Sequence, residues 1–103
     1  MTARVLYVED DPGVRAFVET LLTGEGHDVT AVDSAEAGAD ALANRPFDVV
    51  LTDFNLPGEN ADWMLRRARA RGALDGTPVI VLTGALDPPG VEGCRVLHKP
   101  VDI

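Results

Sequence analysis

The strongest constraint on the fold is an alternation. Five short runs rich in aliphatic and β-branched residues punctuate the chain: RVLYV (Arg4–Val8), DVTAV (Asp28–Val32), DVVLT (Asp48–Thr52), PVIVLT (Pro78–Thr83) and CRVLH (Cys94–His98). The first three intervals between them carry apolar residues at three- and four-residue spacing, the period of a helix. Strands that alternate with helices pair in parallel and need cover on both faces. Crossovers of one hand leave few topologies. At 103 residues, the whole of 1–103 reads as one domain.

Each predicted helix has its punctuation. In DPGVRAFVETLLTGEG, residues Val14, Phe17, Val18, Leu21 and Leu22 make one apolar face. Asp11 is placed to cap that helix, Pro12 falls in its first turn, and Gly24 and Gly26 end it. DSAEAGADALANRP is capped by Asp33 or Ser34 and stops before Pro46. ENADWMLRRARARG stops at Gly72, with Met64, Leu65 and Ala68 as its apolar face and Trp63 beside it, in reach of Arg67 one turn on.

The fourth interval is different. Only eleven residues, Gly84–Cys94, lie between Thr83 and Arg95. A helical crossover takes a dozen or more, and Pro88, Pro89, Gly90 and Gly93 all oppose helix. The expectation is a reduced or absent fourth helix, and no fifth helix after Pro100. Leu6, Val8, Ile80, Leu82 and Val96 would then form an uncovered apolar patch, suited to a partner or a second copy through the strand 4/5 face.

In parallel sheets ligands bind beyond the carboxyl ends of the strands. Those ends carry Glu9, Asp10 and Asp11 after the first run, Asp53, Phe54 and Asn55 after the third, Thr83 after the fourth and Lys99 after the fifth. Crowded carboxylates want a divalent cation, and Mg²⁺ takes oxygen ligands. Aspartate is a competent nucleophile toward phosphoryl groups. A lysine ammonium and a threonine hydroxyl can stabilise the oxygens of a phosphoryl group in flight.

VLYVEDDPGVR, VVLTDFNLPG, VIVLTG and HKP, in this order and at these separations, resemble the receiver domain of two-component response regulators. The resemblance covers about Arg4 to Pro100, and the LHKPV ending is most similar to receivers attached to hybrid sensor kinases. It implies a doubly wound, flavodoxin-like five-stranded α/β fold with strand order 2-1-3-4-5. It implies an aspartate phosphorylated from the phosphohistidine of a sensor histidine kinase or a phosphotransfer protein, with Mg²⁺ as cofactor. Carried over, Asp53 is the phosphoacceptor and a metal ligand. Asp10 ligates Mg²⁺ directly, Glu9 does so through water, and Asn55 offers its backbone carbonyl. Thr83 and Lys99 contact the phosphoryl group. Ala61 stands where the family's loop usually has glycine, and Val96 replaces an aromatic common in the family.

Two other classes compete. An aspartate-nucleophile phosphatase of the haloacid-dehalogenase kind needs a second acid two residues past the nucleophile, where this chain has Asn55. A pseudo-receiver, an interaction module not regulated by phosphorylation, would not need Asp10, Asp53 and Lys99 together. An FMN-binding flavodoxin would need a hydroxyl- and glycine-rich loop where this chain has acids. At most the domain phosphorylates itself from small donors and loses the group slowly.

Charge and cysteine content bound the setting. The net charge of −8 opposes direct nucleic-acid or membrane-surface binding. No apolar run reaches the roughly 20 residues that span a bilayer. The acidic turn after MTARVLYV is not a signal peptide. One cysteine, Cys94, excludes an internal disulfide and fits a reducing, cytoplasmic compartment. Arg66, Arg67, Arg69 and Arg71 read as a solvated face. His27, His98 and Cys94 are not expected to be ligands.

Overall fold

The computed structural model describes residues 2–83 and 94–98. The elements are β1 (Arg4–Val8), α1 (Pro12–Gly24), β2 (Asp28–Val32), α2 (Ala35–Asn44), β3 (Val49–Asp53), α3 (Ala61–Ala70), β4 (Val79–Thr83) and β5 (Arg95–His98). All strands are parallel, in the order β2-β1-β3-β4-β5. The expected topology is therefore present. The segment from Gly84 to Gly93 and the residues from Lys99 onward lie outside the described residues, and with them the expectations for a fourth and a fifth helix.

The helix starts follow the side chains that can accept from orphan backbone amides. Asp11 Oδ1 accepts from Gly13 at 2.8 Å and Val14 at 3.0 Å. Of the two candidates for α2, Ser34 is the cap, accepting from Ala37 at 3.1 Å. Asn60 caps α3 through Trp63 N at 3.1 Å. Ala61 is the first residue of α3 and fully buried, so the absence of glycine there does not stiffen the preceding loop. Gly58 supplies that loop's left-handed residue, at φ 77°.

Registers assign the faces. Leu6 pairs with Val50, and Val50 with Val79; Thr52 pairs with Val81, and Val81 with Val96. With Val8 they share the face covered by α2 and α3. There Leu6, Val8, Val50 and Val81 pack with Ala35, Leu42, Met64, Leu65 and Ala68, and Phe47, Phe54, Leu56 and Leu74 close the ends. The opposite face carries Val5, Tyr7, Leu51, Ile80 and Leu82, with α1 lying over β1 and β2.

Two expectations need correction. The five-residue patch does not exist as a unit. Leu6 and Val8 are fully buried under α2 and α3, and Leu82 is 9% exposed. The side-chain period of two puts Leu6, Val8 and Val96 on one face and Ile80 and Leu82 on the other. Of the set, Ile80 and Val96 are half-buried. The α1 face is also narrower than its pattern. Val18 is buried, but Val14, Phe17 and Leu21 are exposed, Phe17 at 62%. The five apolar positions spread over about 140° of helix, and Phe17 stands about 100° from Val18, beyond the stripe that meets the sheet.

Close approach of α2 to its neighbours rests on Gly38, which is buried. A Cβ there would strike Met64 Sδ and come within 3.2 Å of Val8 Cγ2. Met64 and Val8 are fully buried and have little room to yield. Elsewhere in a helix, Gly→Ala gains roughly 1 kcal/mol. Here overpacking costs about 1–3 kcal/mol, so Gly38→Ala is expected to lower the urea midpoint. A raised midpoint would show that Met64 repacks freely.

Candidate functional site

The strand order reverses between β1 and β3. The chain leaves β1 for β2 on one side and leaves β3 for β4 on the other, so the two loops diverge and open a crevice. The residues that end these two strands line it. The Glu9 amide still donates to the Val32 carbonyl at 3.0 Å, and the Phe54 amide to Leu82 at 2.8 Å, so the ladder holds both strand ends in place.

Carboxylate oxygens of Glu9, Asp10 and Asp53 lie within 4.8 Å of one another. Glu9 is 4% and Asp53 5% exposed, while Asp10 stands in solvent. Three like charges at this separation disfavour one another, more strongly where burial removes water. An all-oxygen set of this kind fits a hard divalent cation such as Mg²⁺. Asp11 is turned away, capping α1. Thr83 is fully buried at the end of β4. Asn55 is exposed two residues past Asp53. Thus Glu9, Asp10 and Asp53 are brought together as expected, and Lys99 lies outside the described residues.

Two residues of the site were not singled out from sequence. Arg15 Nη1 donates to the Glu9 carbonyl at 2.9 Å and the Asp10 carbonyl at 3.4 Å, fixing the loop that carries both acids. Glu9 Oε2 accepts from the Asp11 amide at 3.2 Å, a second tie within that loop. Tyr7 is fully buried two residues before Glu9, on the same strand face. Burial, then the charges of Glu9 and Asp53, push its phenol well above the usual tyrosine range, so it stays protonated. The available signals were an arginine one turn into α1 and a phenol inside an otherwise aliphatic strand.

The arginines of α3 have local uses. Arg66 pairs with Asp62 at 3.2 Å, Arg67 lies 4.9 Å from the Trp63 ring centre, and Arg69 donates to Cys94 Sγ at 3.1 Å. A groove of about 190 Å³ between α2 and α3, lined in part by Glu36, Trp63 and Arg67, shares no residue with the acidic cluster. No helix among the described residues is long and apolar enough to cross a membrane.

A doubly wound parallel sheet with an acidic crevice at its switch point defines a class of α/β domains that hold an anionic ligand or a cation at the strand ends. The particular family follows from comparison. The response regulator receiver domain family matches residues 5–100, and the chain belongs to it. The response regulator protein FleR of Pseudomonas aeruginosa is 44% identical over 98 aligned positions, an alignment that covers 92% of this chain and 20% of that protein. The chain thus spans about a fifth of that relative's length, and 15% of the sensory/regulatory protein RpfC of Xanthomonas campestris, to which it is 34% identical over 106 aligned positions, 95% of this chain. Among solved structures, chemotaxis response regulator CheY4 of Vibrio cholerae superposes with a TM-score of 0.87 at 24% identity, covering 99% of this chain and 90% of that one, and shows the fold. The receiver domain of sensor histidine kinase PA1611 from Pseudomonas aeruginosa, solved with a magnesium ion in its active-site cleft, superposes at 0.85 with 26% identity, covering 99% and 88%.

If the cluster binds Mg²⁺, the ion should raise the melting temperature by mass action, by about 2.7 kcal/mol of stability at a hundredfold excess over Kd. Asp53→Asn should remove most of that increment and, by relieving like-charge crowding, stabilise the metal-free protein by about 1 kcal/mol. Differential scanning fluorimetry in chelator and in Mg²⁺ reads both. A lower melting temperature of the variant in chelator would refute the crowding argument.

Proposed function

We propose that this chain is a phosphoacceptor in a two-component pathway, with Asp53 taking a phosphoryl group from the phosphohistidine of a sensor histidine kinase or a phosphotransfer protein. What carries the reading is the convergence of Asp53 with Glu9 and Asp10, two of the three carboxylates being nearly fully buried, at the topological switch point. Phosphoryl and cation chemistry both account for three carboxylates gathered in a crevice built from the β1 and β3 ends.

In the proposed step an Asp53 carboxylate oxygen forms a bond to phosphorus as the phosphorus–nitrogen bond of the donor imidazole breaks. The leaving nitrogen keeps the electron pair and is protonated. Glu9, Asp10, Asp53 and the Asn55 carbonyl would hold Mg²⁺, whose charge offsets that of the transferring oxygens. The buried Thr83 hydroxyl and Lys99 are proposed to contact the phosphoryl group. The product is an acyl phosphate, which is lost slowly because Asn55 offers no acid to speed its hydrolysis. The phosphatase reading is disfavoured by that same exposed Asn55. A pseudo-receiver is disfavoured because all three acids meet. Phosphorylation would be signalled by a conformational or oligomeric change. A second copy at the β4/β5 face remains a proposal on a narrower basis than the sequence suggested, with Ile80 rather than Leu6 or Val8 as its apolar element.

Acetyl phosphate with Mg²⁺ should add one phosphoryl group, read by intact mass and removed by hydroxylamine. Asp53→Asn should abolish the addition, and Lys99→Ala should weaken it or its conformational effect. An adduct that survives Asp53→Asn would place the acceptor elsewhere.

A further inference from the structure

Among the described residues, the Tyr7 hydroxyl is the one buried side-chain polar atom with no hydrogen-bond partner. The ring is fully buried. Its position is specific: Tyr7 and Glu9 point to the same side of β1, and Tyr7 pairs with Leu51, two residues before Asp53 on the same face. The phenol therefore lies on the side of the sheet that carries Glu9 and Asp53, near enough for both carboxylates to act on it, with Glu9 as the adjacent acceptor although the contact falls short of a formed hydrogen bond. A phenylalanine would fill the same space without burying an unpaired donor, an arrangement that ordinarily costs stability. A buried donor beside the Glu9 carboxylate, with the hydrogen bond between them not fully formed, points to a state of the site in which that bond is made.

We propose that Tyr7 is a positioning residue for the divalent-cation site: its phenol donates to the Glu9 carboxylate when a cation fills the Glu9–Asp10–Asp53 cluster, and that bond holds Glu9 in its ligating orientation. The inference rests on the reading of the cluster as a Mg²⁺ site. Ligating carboxylates are generally hydrogen-bonded in turn, and the donors that orient them affect metal affinity nearly as much as the ligands do. A carboxylate has about four lone-pair positions, so Glu9 can accept from the Asp11 amide and from Tyr7 and still face a cation. The protonated phenol donates and carries no charge, so it orients Glu9 without competing with the metal.

The chain has one tyrosine, so tyrosine labelled with ¹³C at Cζ gives a single resonance. That resonance is expected to move on saturation with Mg²⁺. Calorimetric titration should show Tyr7→Phe binding Mg²⁺ about tenfold more weakly. In chelator the same variant should be at least as stable as wild type, since an unpaired donor is removed. In a Glu9→Gln background Tyr7→Phe should cause no further loss. An unmoved resonance with unchanged affinity would overturn the assignment. So would a variant less stable than wild type in chelator, or an equal loss of affinity in the Glu9→Gln background. Failure of the wild-type protein to bind Mg²⁺ at all would overturn both the site reading and this inference.

Discussion

Everything at the site depends on the strand-order reversal between β1 and β3. With β2 on one flank and β4 on the other, the loops leaving β1 and β3 cannot close over each other. The strands stay paired to their last residues, through the Glu9 amide to Val32 and the Phe54 amide to Leu82. Rigid strand ends with divergent loops are what allow three carboxylates to be held within 4.8 Å. On a flexible loop the same charges would separate, because repulsion falls with distance and with hydration.

Burial on the two faces of the sheet is unequal. The α2/α3 face is dense, with fully buried Leu6, Val8, Val50, Met64 and Leu65, and at Gly38 it leaves no room for a Cβ beside Met64. The opposite face has α1 over β1 and β2, where one helical residue, Val18, is buried. The acidic cluster sits at the edge of this second face, above Tyr7. A dense layer on one side fixes strand positions, while the Asp53 and Glu9 side chains lie on the side of Tyr7.

Much of this was legible in the sequence, for physical reasons. Parallel strands buried on both faces are nearly continuous apolar runs, so β1, β3 and β4 stood out, and each boundary fell within about a residue of the observed one. Side-chain acceptors marked the helix starts at Asp11 and Ser34. The acids after β1 and β3 could be placed on one edge because parallel strands share a polarity. What the pattern could not resolve was which strand residues share a face across the sheet. Leu6, Val8 and Val96 were grouped with Ile80 and Leu82, yet register puts the two sets on opposite sides. Register depends on pairing partners, which a single strand's pattern does not contain. The width of α1's buried stripe was likewise misjudged, since periodicity shows where apolar residues lie and not how much of them a neighbour covers. Arg15 and Tyr7 escaped because their roles depend on loop carbonyls and a strand neighbour that only the folded chain brings together.

The run Glu9-Asp10-Asp11 shows how backbone geometry turns one repeated chemistry into three roles. Glu9 continues the strand's alternation and points inward, so it is buried. Asp10 is the first residue beyond the ladder and stands at the crevice rim, exposed but within reach of the other two carboxylates. Asp11 lies beyond the strand pairing, with the extended backbone of an N-cap residue (φ −74°, ψ 117°), and its side chain accepts from the amides that open α1. The helix it caps then returns Arg15 to the carbonyls of Glu9 and Asp10. The third acid thus sets the start of the helix, the helix sets the arginine, and the arginine fixes the backbone of the first two acids. A carboxylate that never touches the cluster contributes to holding it in place.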